Sequence, residues 1–321
     1  MERHTVGAGS RKASMSPITR RAGRRKWNRI WWSYLFVLPQ FAFFIAFTIY
    51  PIIMSYVYSF FDWSGIGPLK DFAGWGNYIA VLHDKWFWNA FGNTFVYMLG
   101  TTCILMPTSL LMAIALNRVI RKGRVFYRVL YFLPVITTTA INGLVMKAIF
   151  GNKNAFFNEL LIKLGILDQP FYWLGHAHSA MILLILIGSW QFFGMMMVYW
   201  LAGLQSLPTD VYEAASIDGS SSWQSFRHIT VPLLLPIGAA ILLLSTVHSM
   251  HVFDLAKTLT EGGPYFSTDV MDLYVYRYAF DTQGFPAYGR ASAAGILFGI
   301  SIFAMALLLG WLVKKTRAHT V

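Results

Sequence analysis

Charged residues are scarce in this 321-residue chain: they make up 12% of the sequence, about half of what soluble domains carry. Hydrophobic residues make up 56% and the mean hydropathy is +0.51, so there is too little polar surface to cover a water-soluble globule of this size. The hydrophobicity and the 17% of aromatic residues also exclude an intrinsically disordered chain. These figures predict a polytopic membrane protein.

Cysteine is almost absent as well. Cys103 is the single thiol, which excludes an intrachain disulfide and any cysteine-rich metal site. His248 and His251, with Asp254 about a turn further on, have a spacing that zinc ligands could share. We interpret the two histidines as hydrogen-bonded packing residues near a helix end and predict no metal site.

The absence of Asp, Glu, Lys and Arg marks out six apolar stretches, each long enough to cross about 30 Å of hydrocarbon as a helix. None has the strict alternation of a barrel strand. The stretches are residues 30–61, 86–117, 129–146, 179–204, 228–253 and 291–313. We predict an all-α polytopic membrane protein with six transmembrane helices and with kinks at Pro39, Pro51 and Pro134.

Basic residues are concentrated on one side of this six-span arrangement, which holds 18 of the 26 Lys and Arg residues. The positive-inside rule makes that side cytoplasmic and places both termini there. We divide the chain into a basic tail over residues 1–29, a membrane domain over residues 30–315 and a C-terminal tail over residues 316–321. The first tail is expected to be disordered and to lie on anionic lipid headgroups, without a nucleic acid partner.

The link between the fourth and fifth spans, residues 205–232, has the pattern of a short helix, a glycine turn and a second helix. Asp210 and Glu213 have the spacing of a capping box, and Gly219 suits a left-handed residue after a helix. One of Ser220–Ser222 is expected to cap the second helix, and Pro232 to break it. An ordinary interfacial helix pair is the alternative, but it would carry Lys or Arg where this link has acids, which favours a soluble partner.

Two motifs carry a family resemblance. The stretch Glu213-Ala214-Ala215-Ser216-Ile217-Asp218-Gly219, followed by Ile229-Thr230-Val231-Pro232, resembles the EAA loop of permease subunits of bacterial ABC importers. Tyr212 before it and Trp223-Gln224 after it are similar to the carbohydrate-uptake branch. The segment that ends in Gly262-Gly263-Pro264 resembles one found in the first of the two paired permeases. The resemblance covers roughly residues 30–315, without the extra N-terminal spans and large external domain of the maltose permease.

This resemblance implies the MetI-like fold of ABC importer permeases and a place in the bacterial inner membrane. The expected partners are a second homologous permease, two cytoplasmic ABC ATPase subunits, an extracytoplasmic solute-binding protein and membrane lipid. The chain has no G-x-x-x-x-G-K-[ST] phosphate loop. ATP and Mg²⁺ would therefore be held by the ATPases, and this chain would bind no cofactor.

The resemblance also implies two sets of functional residues. The first set would couple the chain to the ATPase, with Glu213 as polar anchor, Ala214 and Ala215 as a close-packing surface, and Gly219 as the turn. This set is Tyr212, Glu213, Ala214, Ala215, Asp218 and Gly219. The second set would line the solute pathway, and helix–helix hydrogen bonding is the alternative role for its polar members. It consists of Ser189, Gln191, Met195, Ser245, His248, Ser249 and Val252.

The expected solute is a mono- or oligosaccharide. No Lys or Arg lies deep in a span, where an anionic solute would favour a cation, so a neutral sugar is preferred to a glycerophosphate-type or other polar solute. A secondary transporter would need buried acids for ion coupling. An intramembrane enzyme, the more distant alternative, would need a nucleophile with its base or a metal set inside the spans. We predict a transport subunit and not an enzyme.

Overall fold

The computed structural model describes residues 17–120, 122–281 and 286–318, and most of these residues are helical. An isolated antiparallel bridge joins Phe61 to Phe72. The chain divides into two compact units, residues 1–55 and 56–321, and each is described by itself.

The first unit contains helix α1 (Pro17–Phe44), a π-helical turn (Ile45–Ile49) and the greater part of α2 (Tyr50–Tyr58). The segment Trp31–Tyr58 is long and apolar enough to cross a membrane, as predicted. The π-helical turn ends two residues before Pro51, whose ring nitrogen has no proton to donate to the turn before it. Residues 17–29 are helical although the sequence predicted disorder there, because Lys and Arg favour helices and proline is suited to a first helical position. The rest of the predicted tail, residues 1–16, lies outside the described residues.

The second unit is built from twelve further helices and two π-helical turns within its described part. In chain order they are α3 (Gly76–Leu82), α4 (Lys85–Ile114), a π-helical turn (Ala115–Val119), α5 (Arg124–Ile136), α6 (Thr139–Phe150), α7 (Phe156–Lys163), α8 (Ala177–Gln205), α9 (Thr209–Ile217), α10 (Ser222–Ser225), a π-helical turn (Phe226–Thr230), α11 (Val231–Ser249), α12 (Phe253–Leu259), α13 (Met271–Phe280) and α14 (Tyr288–Ala318).

Across the described residues, five segments have the length and hydropathy of a membrane span, and one bent helix pair supplies a sixth. The single segments are Trp31–Tyr58, Lys85–Asn117, Ala177–Gln205, Ser222–Ser249 and Tyr288–Lys315. Each overlaps a stretch predicted from the sequence, so the prediction of an all-α polytopic fold is confirmed. The cytoplasmic location of the termini stays a prediction, as do the domain boundaries. Helix α14 continues to Ala318, and residues 319–321 of the C-terminal tail lie outside the described residues.

Two helices meeting at a sharp bend stand where the sequence predicted the third span as one kinked helix. Helices α5 and α6 meet at an angle of 95°. Thr137 and Thr138 between them are extended, with ψ of 144° and 143°. The side chain of Asn142 donates a 3.0 Å hydrogen bond to the carbonyl of Pro134, and the hydroxyl of Thr137 lies 2.9 Å from the same carbonyl. Side chains therefore satisfy the helix end that the break exposes, which is what makes the sharp bend tolerable in an apolar setting.

Glycines set the packing of α8 against its neighbours. A Cβ at Gly188 would overlap the phenol of Tyr97 on α4, and a Cβ at Gly194 would overlap the carbonyl oxygen of Tyr131 on α5. Without side chains at these two positions, the helices approach closely, as small residues allow in membrane bundles. The result is a closely packed centre, in which Leu184 and Met196 on α8 are fully buried.

Candidate functional site

The link after α8 forms the helical hairpin that the sequence predicted. Helix α9 ends at Ile217, and Gly219 two residues later has a φ of +75°. The amide of Gly219 donates to the carbonyl of Ser216 (3.2 Å) and the amide of Ser220 donates to that of Ala215 (2.9 Å), the two bonds of a Schellman motif. Ser221 then caps α10 in a reciprocal capping box with Gln224. The predicted glycine turn and serine cap are therefore confirmed.

Two local predictions for this hairpin are wrong. Asp210 and Glu213 form no capping box, because α9 begins at Thr209 with Pro208 at its N-cap position and no side chain caps it. Pro232 does not break the following helix, and the segment Ser222–Ser249 is continuous through a π-helical turn. Pro232 is the second residue of α11, where the missing amide proton is tolerated because the wider turn has already changed the hydrogen-bond register.

The six predicted coupling residues lie within the hairpin but differ in how far they are exposed to solvent. Four of them are exposed and two are half-buried. The exposed ones are Glu213, Ala214, Asp218 and Gly219, and the half-buried ones are Tyr212 and Ala215. Tyr212 and Glu213 line a cleft of about 580 Å³ together with Asn117 and the hydroxyl groups of Ser216 and Ser220.

A second concave site lies at the far end of α11. This cavity of about 220 Å³ is lined by His248 and Ser249 from the end of that helix and by Val252 just beyond it. Its remaining walls come from five other helices and from the segment after α11, which contribute Tyr97, Thr139, Phe192, His251, Phe253, Asp254, Leu255 and Asp272. The cavity therefore combines hydroxyl, imidazole and carboxylate groups with aromatic faces, and no Lys or Arg is among the described residues that line it.

The other predicted pathway residues lie outside the cavity lining. The hydroxyl of Ser189 donates to the carbonyl of Ile185 on its own helix (2.7 Å). Met195 packs against the buried cluster around Trp200. Ser245 is 1% exposed, and its hydroxyl has no hydrogen-bond partner in the described part of the chain. Gln191 reaches the cavity wall indirectly, through a 2.8 Å hydrogen bond from Nε2 to the hydroxyl of Thr139.

Asp272 is a cavity residue that the sequence prediction missed. Its Oδ2 accepts the amide of Val252 (3.2 Å), and its Oδ1 lies 3.5 Å from Nδ1 of His251. This contact with the carboxylate raises the pKa of His251, although partial burial opposes the shift. The available signal was an acid in the first turn of α13, eight residues after Pro264. Nothing in the sequence pattern placed that turn beside α11.

The Gly-Gly-Pro motif explains how Asp272 is held in place. Gly262 has a φ of +84°, and a Cβ there would approach the side chains of Leu273 and Asp269 to 3.1 and 3.2 Å. The hydroxyl of Thr268 donates to the carbonyl of Gly263 (2.7 Å) and closes the turn. The motif therefore fixes the point from which α13 starts.

The chain that follows the motif is fastened to the start of α4. The amide of Asn93 donates to the carbonyls of Phe266 (3.0 Å) and Asp269 (2.9 Å), and Asn89 donates to that of Phe266 (2.7 Å). Arg277 forms a 2.6 Å ion pair with the fully buried carboxylate of Asp269. Burial raises the pKa of Asp269, and the guanidinium only partly offsets this. Together these contacts make α4 and α13 one wall of the cavity.

Comparison with known proteins decides the family. Residues 105–318 match the family model of the binding-protein-dependent transport system inner membrane component. The chain belongs to this family. It is a multi-pass inner-membrane transport subunit and not an enzyme, as predicted.

Individual relatives agree over nearly the whole chain. The arabinooligosaccharides transport system permease protein AraP of Bacillus subtilis (strain 168) is 33% identical over 305 residues, which are 92% of this chain and 94% of AraP. The lactose transport system permease protein LacF of Rhizobium radiobacter is 30% identical over 305 residues, which are 94% of this chain and 100% of LacF. The predicted resemblance to carbohydrate ABC importer permeases is confirmed.

A solved structure shows the same fold. It is that of a bacterial alginate ABC transporter in complex with an alginate pentasaccharide-bound periplasmic protein. One of its chains matches with a TM-score of 0.79 and 23% identity, over 91% of this chain and 96% of that chain. At this identity the match supports the permease fold alone.

Proposed function

We propose that this member of the binding-protein-dependent family is one of two paired permeases in an ATP-driven importer of neutral mono- or oligosaccharides. The observation that carries the proposal is the chemistry of the 220 Å³ cavity. Its hydroxyl, imidazole and carboxylate groups can pair with sugar hydroxyls, and Phe192 and Tyr97 offer aromatic faces. The names of AraP and LacF, which refer to arabinooligosaccharides and lactose, support a sugar as the solute.

The charge of the cavity favours a neutral solute over a glycerophosphate. Asp254 and Asp272 both line it, and an anionic phosphate would meet carboxylates where it needs Arg or Lys. The cavity is also smaller than the roughly 300–1,000 Å³ of complete ligand pockets. This size fits half of a pathway that a second, homologous permease completes.

The hairpin is the proposed attachment point for the ATP-hydrolysing subunits. Its exposed residues Glu213, Ala214 and Asp218 present an acidic edge with little side-chain bulk, which suits insertion into a groove of a soluble protein. ATP and Mg²⁺ would be bound by two such ATPases. An extracytoplasmic solute-binding protein would deliver the sugar, as the periplasmic protein in the alginate transporter complex suggests.

Reconstitution tests this function directly. The chain is purified by a tag from its own membranes, its co-purifying subunits are identified, and the assembly is placed in liposomes with MgATP on the ATPase side. We expect uptake of a labelled oligosaccharide such as arabinotriose or lactose when the solute-binding protein is supplied. Uptake of glycerol 3-phosphate in preference to every sugar tested would contradict the neutral-sugar assignment. Uptake by the isolated chain without ATP would contradict the importer assignment.

A further inference from the structure

A hydrogen bond joins α9, the first helix of the hairpin, to the span that reaches the cavity. The phenol oxygen of Tyr212 on α9 lies 2.9 Å from the hydroxyl of Thr230, the last residue of the π-helical turn. Thr230 is 1% exposed and Tyr212 is half-buried, so this contact is partly shielded from water. The hydroxyl of Thr230 also lies 3.4 Å from the carbonyl of Ser225, five residues earlier. The bond therefore connects α9 to the irregular turn itself.

A continuous helix leads from this contact to the cavity. Residues Val231–Ser249 form α11 without interruption, and His248 and Ser249 at its end line the cavity. At 1.5 Å per residue the helix carries a displacement over about 29 Å between Thr230 and Ser249. Midway along it, a Cβ at Gly238 would press on the ring of Trp200, so α11 is closely seated against α8.

We propose that the Tyr212–Thr230 hydrogen bond is the mechanical link through which the hairpin moves α11, with Thr230 acting as a positioning residue. The inference rests on the proposed coupling role of the hairpin. A π-helical turn is rare and is found preferentially at functional sites. In this chain the π-helical turn contains Thr230, the residue to which α9 is hydrogen-bonded. A displacement of α9 therefore acts first on the least regular turn of the span Ser222–Ser249. The side chains at the cavity then follow the helix.

The test measures cavity exposure in the assembled importer without needing the solute. Ser249→Cys is introduced in a Cys103→Ser background, and its reaction with a membrane-impermeant maleimide is followed with and without MgATP and orthovanadate. Nucleotide is expected to change the labelling rate of this parent protein. Tyr212→Phe and Thr230→Val should each reduce that change by about fivefold, the scale expected for the loss of one hydrogen bond.

Three controls separate a link from a merely structural contact. Thr230→Ser keeps the hydroxyl and should restore the nucleotide response. Tyr199→Phe removes a partly exposed phenol from α8 and should leave the response unchanged. ATP hydrolysis and co-purification of the ATPase should stay within about twofold of the parent in the Thr230 variants, since the buried Thr230 side chain offers no surface for a soluble partner.

The outcomes distinguish the link from the function on which it rests. A full nucleotide response in both Tyr212→Phe and Thr230→Val would overturn the link and leave the proposed coupling intact. Loss of response only in Tyr212→Phe, together with loss of ATPase binding, would also overturn it, since Tyr212 would then act in docking. If the labelling rate of the parent protein did not change when nucleotide was added, the proposed coupling itself would be overturned.

Discussion

The side-chain amide of Gln191 on α8 donates a 2.8 Å hydrogen bond to the hydroxyl of Thr139, the first residue of α6. Gln191 is 1% exposed, and its Oε1 has no hydrogen-bond partner among the described residues. A buried acceptor without a partner costs about 1–3 kcal/mol, more than the roughly 1 kcal/mol gained from the bond to Thr139. Gln191 is thus poorly explained by stability alone.

Gln191→Met should separate stability from transport. The substitution keeps the length of the side chain, removes the unpartnered carbonyl and gives up one hydrogen bond, so the temperature of thermal unfolding should stay the same or rise by a few degrees. If the carbonyl serves the solute, the KM for uptake should rise about fivefold or more. Ser189→Ala, which removes a hydroxyl bonded within its own helix, should change neither quantity. An unchanged KM in Gln191→Met would remove Gln191 from the pathway.

Gly219→Val should abolish transport while membrane insertion stays normal. Gly219 has a φ of +75°, and a Cβ there would meet nothing within 4 Å. The cost is therefore conformational and not steric, about 1–3 kcal/mol for a residue forced into this region and highest for a β-branched one. Gly219→Asn is the matched control, because asparagine tolerates the left-handed conformation and should retain most of the uptake. Uptake equal to wild type in the valine variant would mean that the turn has no part in coupling.

Gly194→Ala should impair folding because of a contact with backbone. A Cβ at this position would overlap the carbonyl oxygen of Tyr131, so α5 must move away from α8. Overpacking of this kind costs about 1–3 kcal/mol or more and should lower the unfolding temperature by several degrees. Gly92→Ala on α4 meets nothing within 4 Å and should be neutral or stabilising by up to about 1 kcal/mol. Equal melting of the two variants in the same detergent would contradict the close α5–α8 contact.

The stability contributed by the His251–Asp272 pair should fall as the pH rises. The carboxylate raises the pKa of His251 above its unfolded value, so the contribution is complete below the unfolded pKa and is lost as the pH rises through the folded pKa. Because His251 is largely exposed, we expect no more than about 2 °C between wild type and Asp272→Asn, largest near pH 5.5 and vanishing toward pH 8.5.

The pH experiment needs a second variant, because His248 and Asp254 line the same cavity. His251→Gln removes the titrating ring and should flatten the pH dependence of the difference. Asp272→Asn keeps an oxygen that can accept the amide of Val252, so the backbone contact survives in that variant. A difference between wild type and Asp272→Asn that grows with pH would assign the titration to another group.

The sequence predicted the features that depend on local pattern. Charge-free stretches located the spans because a missing charge is a property of each segment alone. The turn at Gly219 and the cap at Ser221 could be predicted for the same reason, since the hydrogen bonds of both are made to backbone groups only a few residues away. The capping box at Asp210 failed because Pro208 starts α9 earlier than the spacing required.

What could not be predicted depends on contacts between distant segments. The 95° bend after α5 requires the side chain of Asn142 to fold back onto Pro134, and a proline alone predicts only a kink. Asp272 and Tyr97 lie beside His248 in the cavity because Asn93 on α4 is hydrogen-bonded to the loop before α13. The two partners of that contact, Asn93 and Asp269, are 176 residues apart in the sequence. The proposed pathway residues were chosen by their distance from two motifs. His248, Ser249 and Val252 line the cavity, whereas the predicted residues on α8 lie beside it, and their role in solute binding stays a prediction.

The close packing of Tyr97 against Gly188 also indicates which helices stay fixed relative to one another during transport. The phenol occupies the place where any side chain at Gly188 would stand, so α4 and α8 cannot slide past each other without a collision. Asn93 on α4 also joins α13 to this pair of helices, through hydrogen bonds to the carbonyls of Phe266 and Asp269 in the loop before α13. We expect access to the cavity to alternate by movement of α11, which carries His248 and Ser249, relative to α4, α8 and α13.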